Sequence, residues 1–96
     1  MTVKESFGEH IKSLREKHKL PLRKVASVLD LDPSTLSKIE RGEKTAKREH
    51  IKPLAKLFKL DYNDLFSLWL ADQVFQIIEN EEQAKTALQI VLKELK

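Results

Sequence analysis

Asp32-Pro33 and Gly42 bracket one short segment, and that bracketing constrains this chain more than any other feature. An Asp followed by Pro marks a helix start. The carboxylate can cap free N–H groups, and Pro suits the first position because its missing N–H would be unpaired there. Gly42 can take the left-handed conformation that ends a helix. The helix so delimited is predicted over about Pro33 to Arg41, and only Leu36 and Ile39 are strongly apolar on it. It is therefore well marked at both ends but gains little from burial. Its other positions, Ser34, Thr35, Ser37, Lys38, Glu40 and Arg41, are polar.

The flanking sequence is helical as well. Val3, Phe7, Ile11 and Leu14 form one stripe and predict a first helix from Val3 to Lys17. Pro21 precedes a second helix over about Leu22 to Leu29, with Leu22, Val25, Ala26 and Leu29 inward. Asp30-Leu31-Asp32 is then a tight turn. A basic loop, Glu43 to Arg48, follows the short helix. The next helix spans about Glu49 to Phe58 and turns Ile51, Leu54, Ala55 and Phe58 inward. Pro53 must lie in its first turn, which predicts a late or irregular start. Asp61 with Asp64 forms a capping pair for a fifth helix, where Leu65, Leu68, Trp69, Asp72, Phe75 and Ile78 share a face. After Asn80-Glu81-Glu82 a last helix carries Ala84, Ala87, Leu88, Val91 and Leu95. No strand is predicted, so the fold class is all-α.

Charge is unevenly placed. Residues 1–60 hold 15 Lys and Arg against 8 Asp and Glu, a net of +7, whereas residues 61–96 net −4. A basic front and an acidic back fit a polyanionic partner for the front alone. The short helix fits the same partner. A weakly buried helix suits the major groove of duplex DNA, where Ser and Thr can bond base edges or phosphates and Lys can donate to guanine.

The stretch LDLDPSTLSKIERG, residues 29–42, resembles the lambda-repressor-like, Xre-type helix-turn-helix regulators of bacteria and phages. FGEHIKSLREKHKL before it and LAKLFKLDYNDLF after it extend the resemblance over about Phe7 to Phe66. It implies a five-helix DNA-binding domain over residues 1–66 whose third helix enters the major groove, followed by a short helical extension over residues 67–96. Carried over by position, Ser34 and Lys38 fall where base contacts are usual. Asp32, Thr35 and Ser37 fall where base or phosphate contacts occur. Arg41, Lys44, Thr45, Lys47 and Arg48 match backbone-clamping positions, and Arg23 and Lys24 are expected to touch phosphates too. Arg15 and Glu40 match a pair that ties the first helix to the third. The chain departs from the family's habit at Pro21 and Leu22, where Ser or Thr and Gln are common. It departs again at Lys59, where Gly is common, and at Asp32, where Ser or Thr is.

Other chemistry finds little support. There is no cysteine, so disulfides and Cys-based metal sites are excluded. His10, His18 and His50 lack the spacing of a helical zinc site and are expected at the surface. No phosphate-cradling glycine motif occurs. No catalytic residue, cofactor or metal is expected, and no apolar run is long enough for a bilayer. A cytoplasmic protein of bacterial or phage origin, with double-stranded DNA as partner, is the expectation. The apolar positions beyond the expected core, within residues 65–95, would be covered by a second copy reading an inverted repeat. Short-tailed sequences of this pattern resemble controllers of restriction-modification systems, antitoxins and phage repressors. An antitoxin-type protein whose C-terminal helices bind a partner is the main alternative, and a helical bundle with no nucleic-acid role is another.

Overall fold

The computed structural model describes residues 6–96 and forms six α-helices with no strand among them. They are α1 (Phe7–Lys17), α2 (Leu22–Val28), α3 (Pro33–Glu40), α4 (Ile51–Phe58), α5 (Tyr62–Ile78) and α6 (Ala84–Glu94). A 3-10 turn, Arg48–His50, leads into α4. This is the irregular start that Pro53 requires, since Pro53 falls in the first turn of α4. Val3, expected to open the first helix, lies outside the described residues. Within them α1 starts at Phe7, where the Ser6 hydroxyl accepts from the Glu9 N–H.

The core is drawn from every helix up to α5. Phe7, Ile11, Val25, Ala26, Leu29, Leu36, Ile39, Ala46, Ile51, Leu54, Ala55, Phe58 and Leu65 are buried together. The stripes read from α2 and α4 face this core, although Leu22 is only half-buried.

Four helix ends share one device. After α1, α2, α3 and α4 the chain turns through a left-handed residue, Lys19 (φ 54), Asp30 (φ 56), Gly42 (φ 78) and Lys59 (φ 56). The next N–H then reaches back five residues. Leu20 donates to the Arg15 carbonyl, Leu31 to Ala26, Glu43 to Lys38 and Leu60 to Ala55. This satisfies carbonyls that a helix end leaves free. Only one of these turns uses glycine. Leu20 and Leu31 pack back onto the core, which offsets the backbone cost at the preceding residue.

The polypeptide beyond Leu65 behaves differently. The inner face of α5 stays attached. The Trp69 indole N–H donates to the Ala46 carbonyl at 2.8 Å, and Asp72 is 5% exposed with its carboxylate accepting from Gln76. The rest of α5 is apolar around much of its circumference, and α6 buries no residue at all. Leu70, Val74, Ile77, Ile90, Val91, Leu92 and Leu95 are exposed, Ile77 by 76% and Leu92 by 66%. Between the two helices lies an apolar groove lined by Ala71, Val74, Phe75 and Ile78 on one side and Leu88, Leu92 and Leu95 on the other.

Candidate nucleic-acid interface

α3 is anchored from below. Gly8 of α1 lies so close that a Cβ on it would sit 1.9 Å from the Ile39 carbonyl oxygen. Next to Ile39, Glu40 is 4% exposed and is gripped by Arg15, whose Nε donates to Oε2 at 2.8 Å and whose Nη2 donates to Oε1 at 3.0 Å. Arg15 Nη1 also donates to the Leu20 carbonyl. The guanidinium therefore ties α3 both to α1 and to the turn before α2. The expected Arg15–Glu40 pair is present, and it is largely buried.

The N-terminus of α3 is closed as its sequence implies. The Asp32 carboxylate accepts from the Thr35 N–H at 2.8 Å and from the Ser34 hydroxyl at 2.7 Å. These bonds, that of Ser34 first, lower its carboxyl to about 2. The nearby charge of Lys44 adds to the effect. The carboxylate is thus committed to the helix end.

With Leu36, Ile39 and Glu40 turned inward, the other side of α3 faces solvent. Ser34, Lys38 and Arg41 are exposed, and Thr35 and Ser37 are half-buried. Arg41 is the residue after the helix. Its guanidinium donates to the Glu43 carboxylate and to the Ser37 hydroxyl. Lys44, Thr45, Lys47 and Arg48 are all exposed along the following loop. That loop is pinned at Ala46 by Trp69, and at Lys47, whose N–H donates to His50 Nδ1 at 3.1 Å. Arg48 turns toward α5, its guanidinium 4.8 Å from the centre of the Phe66 ring. Arg23 and Lys24 are exposed near the start of α2.

Two of these arrangements differ from the expectation for the histidines. His50, expected at the surface, is 6% exposed, because it closes the turn into α4 by accepting the Lys47 N–H. Burial lowers its imidazole pKa from 6.5; Glu49 opposes this and Lys47 adds to it. His10 is half-buried rather than exposed, whereas His18 is exposed and stacks on Phe58. Two contributors were not singled out by the sequence pattern. A glycine inside a helical pattern is a signal of close backbone approach, which marks Gly8. Opposite charges on either side of Gly42 foreshadow the Arg41–Glu43 contact.

A family model described as a helix-turn-helix domain matches residues 8–69. The chain belongs to the helix-turn-helix family. The match agrees with the Xre-type resemblance carried by residues 29–42. This helix-turn-helix chain is 30% identical over 90 residues to the HTH-type transcriptional repressor RghR of Bacillus subtilis (strain 168), a match covering 93% of the chain and 65% of that protein. It is 36% identical over 62 residues to the uncharacterized HTH-type transcriptional regulator RghRB of the same organism, covering 64% of the chain and 45% of that protein. The chain thus spans less than two thirds of the length of either relative. Among solved structures, the clp gene regulator ClgR from Corynebacterium glutamicum has the same fold, with a TM-score of 0.58 and 22% identity over 97% of this chain and 93% of that one. Among the described residues no cluster of three His, Asp or Glu could hold a metal, and no helix is long and apolar enough to cross a membrane.

Proposed function

We propose that this chain is a sequence-specific, double-stranded DNA-binding transcriptional regulator that inserts α3 into the major groove. One observation carries the reading. α3 is closed at both ends and anchored through Leu36, Ile39 and Glu40, while its opposite side presents Ser34, Lys38 and Arg41 beside a basic loop. A helix held rigidly by its back and polar on its front is built for contact with something outside the molecule. Ser34 and Lys38 read base edges, with Thr35 and Ser37 beside them. Arg41, Lys44, Thr45, Lys47 and Arg48 hold phosphates, joined by Arg23 and Lys24. Asp32 contributes by capping. The RghR relative's description as a repressor favours repression over activation. No catalytic role is assigned, and the protein works where DNA is, in the cytoplasm.

Residues 1–66 are the DNA-binding domain in this reading, and residues 67–96 are a dimerisation extension. Support comes from α6. A helix of 11 residues with no buried side chain is marginal in water by itself. Its apolar side and the groove beside it need cover, and a second copy offers the same apolar surface. Charge fits as well. If two α6 helices cross antiparallel, Lys93 and Lys96 of one copy meet Glu81 and Glu82 of the other. The two α3 helices would then lie about 34 Å apart, one turn of DNA, and read an inverted repeat.

Binding of a duplex enriched from a random-sequence pool, followed against salt, tests the DNA reading. Removing one phosphate-binding side chain lowers the log–log slope by about 0.9. Lys47→Ala with Arg48→Ala should therefore weaken binding and flatten the slope. An unchanged slope refutes the clamp. Sedimentation tests the extension: a dimer that Leu92→Asp dissociates is expected. A monomer at tens of micromolar would leave the apolar groove to a different protein, as in an antitoxin-type partner.

A further inference from the structure

Arg41 does not present a free guanidinium. Its Nε donates to Glu43 Oε2, and Nη2 lies 3.5 Å from Glu43 Oε1, so its fork faces both carboxylate oxygens. On its other edge Nη1 donates to the Ser37 hydroxyl. A guanidinium grips two phosphate oxygens through the same fork. The backbone holds Glu43 in place for this contact. Gly42 turns the chain at φ 78, and the Glu43 N–H donates to the Lys38 carbonyl, which returns the carboxylate to the end of α3. Both side chains are about half exposed, 53% for Arg41 and 55% for Glu43, so an incoming group can reach them.

We propose that Glu43 is an internal anion that occupies the Arg41 fork in the free protein and is displaced by a DNA phosphate. Glu43 thereby limits affinity, and its displacement couples two functions of the interface. While Arg41 is folded back it engages the Ser37 hydroxyl on the face of α3. Once a phosphate draws the guanidinium outward, Ser37 is released to meet a base edge. A backbone contact and a base contact are thus made in one step. This inference rests on the DNA-binding reading above.

A double-mutant cycle tests it, using a short duplex enriched from a random pool and a scrambled duplex of equal composition. An exposed, solvent-screened pair contributes only weakly, so Glu43→Gln should tighten binding about two- to fivefold. Arg41→Gln should weaken binding, and adding Glu43→Gln to it should bring no further tightening. The proposal is overturned if Glu43→Gln binds no tighter than wild type. It is equally overturned if the gain persists in the Arg41→Gln background, because removal of a negative charge would then act without Arg41. Wild-type protein that binds neither duplex in a salt-dependent way sinks the DNA reading and this proposal together. Wild-type binding with an inert Glu43→Gln sinks this proposal alone.

Discussion

The Ile39 carbonyl oxygen occupies the space that a side chain on Gly8 would need, 1.9 Å from where its Cβ would lie. The opposing atoms are backbone, so no side chain can swing aside. Gly8→Ala must push α1 and α3 apart, at a cost of about 1–3 kcal/mol or more. The helix propensity gained from Ala, about 1 kcal/mol, opposes this. The expected outcome is a net loss of stability in urea unfolding together with weaker DNA binding. A variant more stable than wild type would refute the close packing.

The Arg15–Glu40 pair sits mostly out of water, and removing either member strands the other. Arg15→Ala or Glu40→Ala should each cost about 3 kcal/mol of unfolding free energy. Exchanging the two residues should restore only part of the loss. A carboxylate at position 15 cannot donate to the Leu20 carbonyl, as Arg15 Nη1 now does. Full recovery in the exchanged protein would show that the Leu20 contact contributes nothing.

Capping by Asp32 makes α3 sensitive to acid. Hydrogen bonds from Ser34 and then Thr35 lower the Asp32 carboxyl from 3.8 to about 2. A depressed native pKa means that the unfolded chain takes up the proton first. The cap's contribution is therefore whole above about pH 4 and is lost as pH falls through about 2. Thermal midpoints of wild type and Asp32→Ala should differ by a constant amount near neutrality and converge across that acid window. A difference that persists below it would mean the carboxylate charge is not what caps.

His50 sets a second pH dependence, nearer neutrality. Its buried Nδ1 accepts the Lys47 N–H, and a protonated ring can no longer accept at that atom. With the native pKa held below 6.5, the unfolded chain again binds the proton first. Stability is present above pH 6.5 and declines as pH falls from there through the lower native value. An NMR titration of the His50 ring should give a midpoint below 6.5. A midpoint above it would show that the imidazole is not held neutral by burial.

Lys59 stands in the left-handed region at φ 56, a conformation that L-residues with side chains adopt at a cost of about 1 kcal/mol. Lys59→Gly should stabilise the fold by up to about that amount, with the Leu60-to-Ala55 hydrogen bond unchanged. A destabilised variant would mean that the entropy glycine adds to the unfolded chain outweighs the strain.

Much of this was legible where cause and effect lie within one turn of each other. Asp32-Pro33 starts α3, Gly42 follows its end, Asp61 caps α5 through the Asp64 N–H, and Pro53 forces an irregular entry to α4. The pattern failed where several residue types can fill one backbone role. Lys19 ends a helix as Gly42 does, yet nothing in its side chain announces a positive φ. Polarity likewise misplaced His50, because a histidine that accepts a backbone N–H can be buried at little cost.

Residue order alone therefore determined the helices, the stop at Gly42 and the polar front of α3, since those depend on side-chain and backbone chemistry a few residues apart. Only tertiary structure decided most contacts between residues far apart in the chain. The Trp69 indole reaches the Ala46 carbonyl across 23 positions, and Arg15, besides its expected partner Glu40, donates to the Leu20 carbonyl. Arg48 lies over Phe66, and the groove between α5 and α6 is left open. These outcomes depend on how the helices cross, and the crossing is set by close packing over the whole core, down to the missing side chain of Gly8.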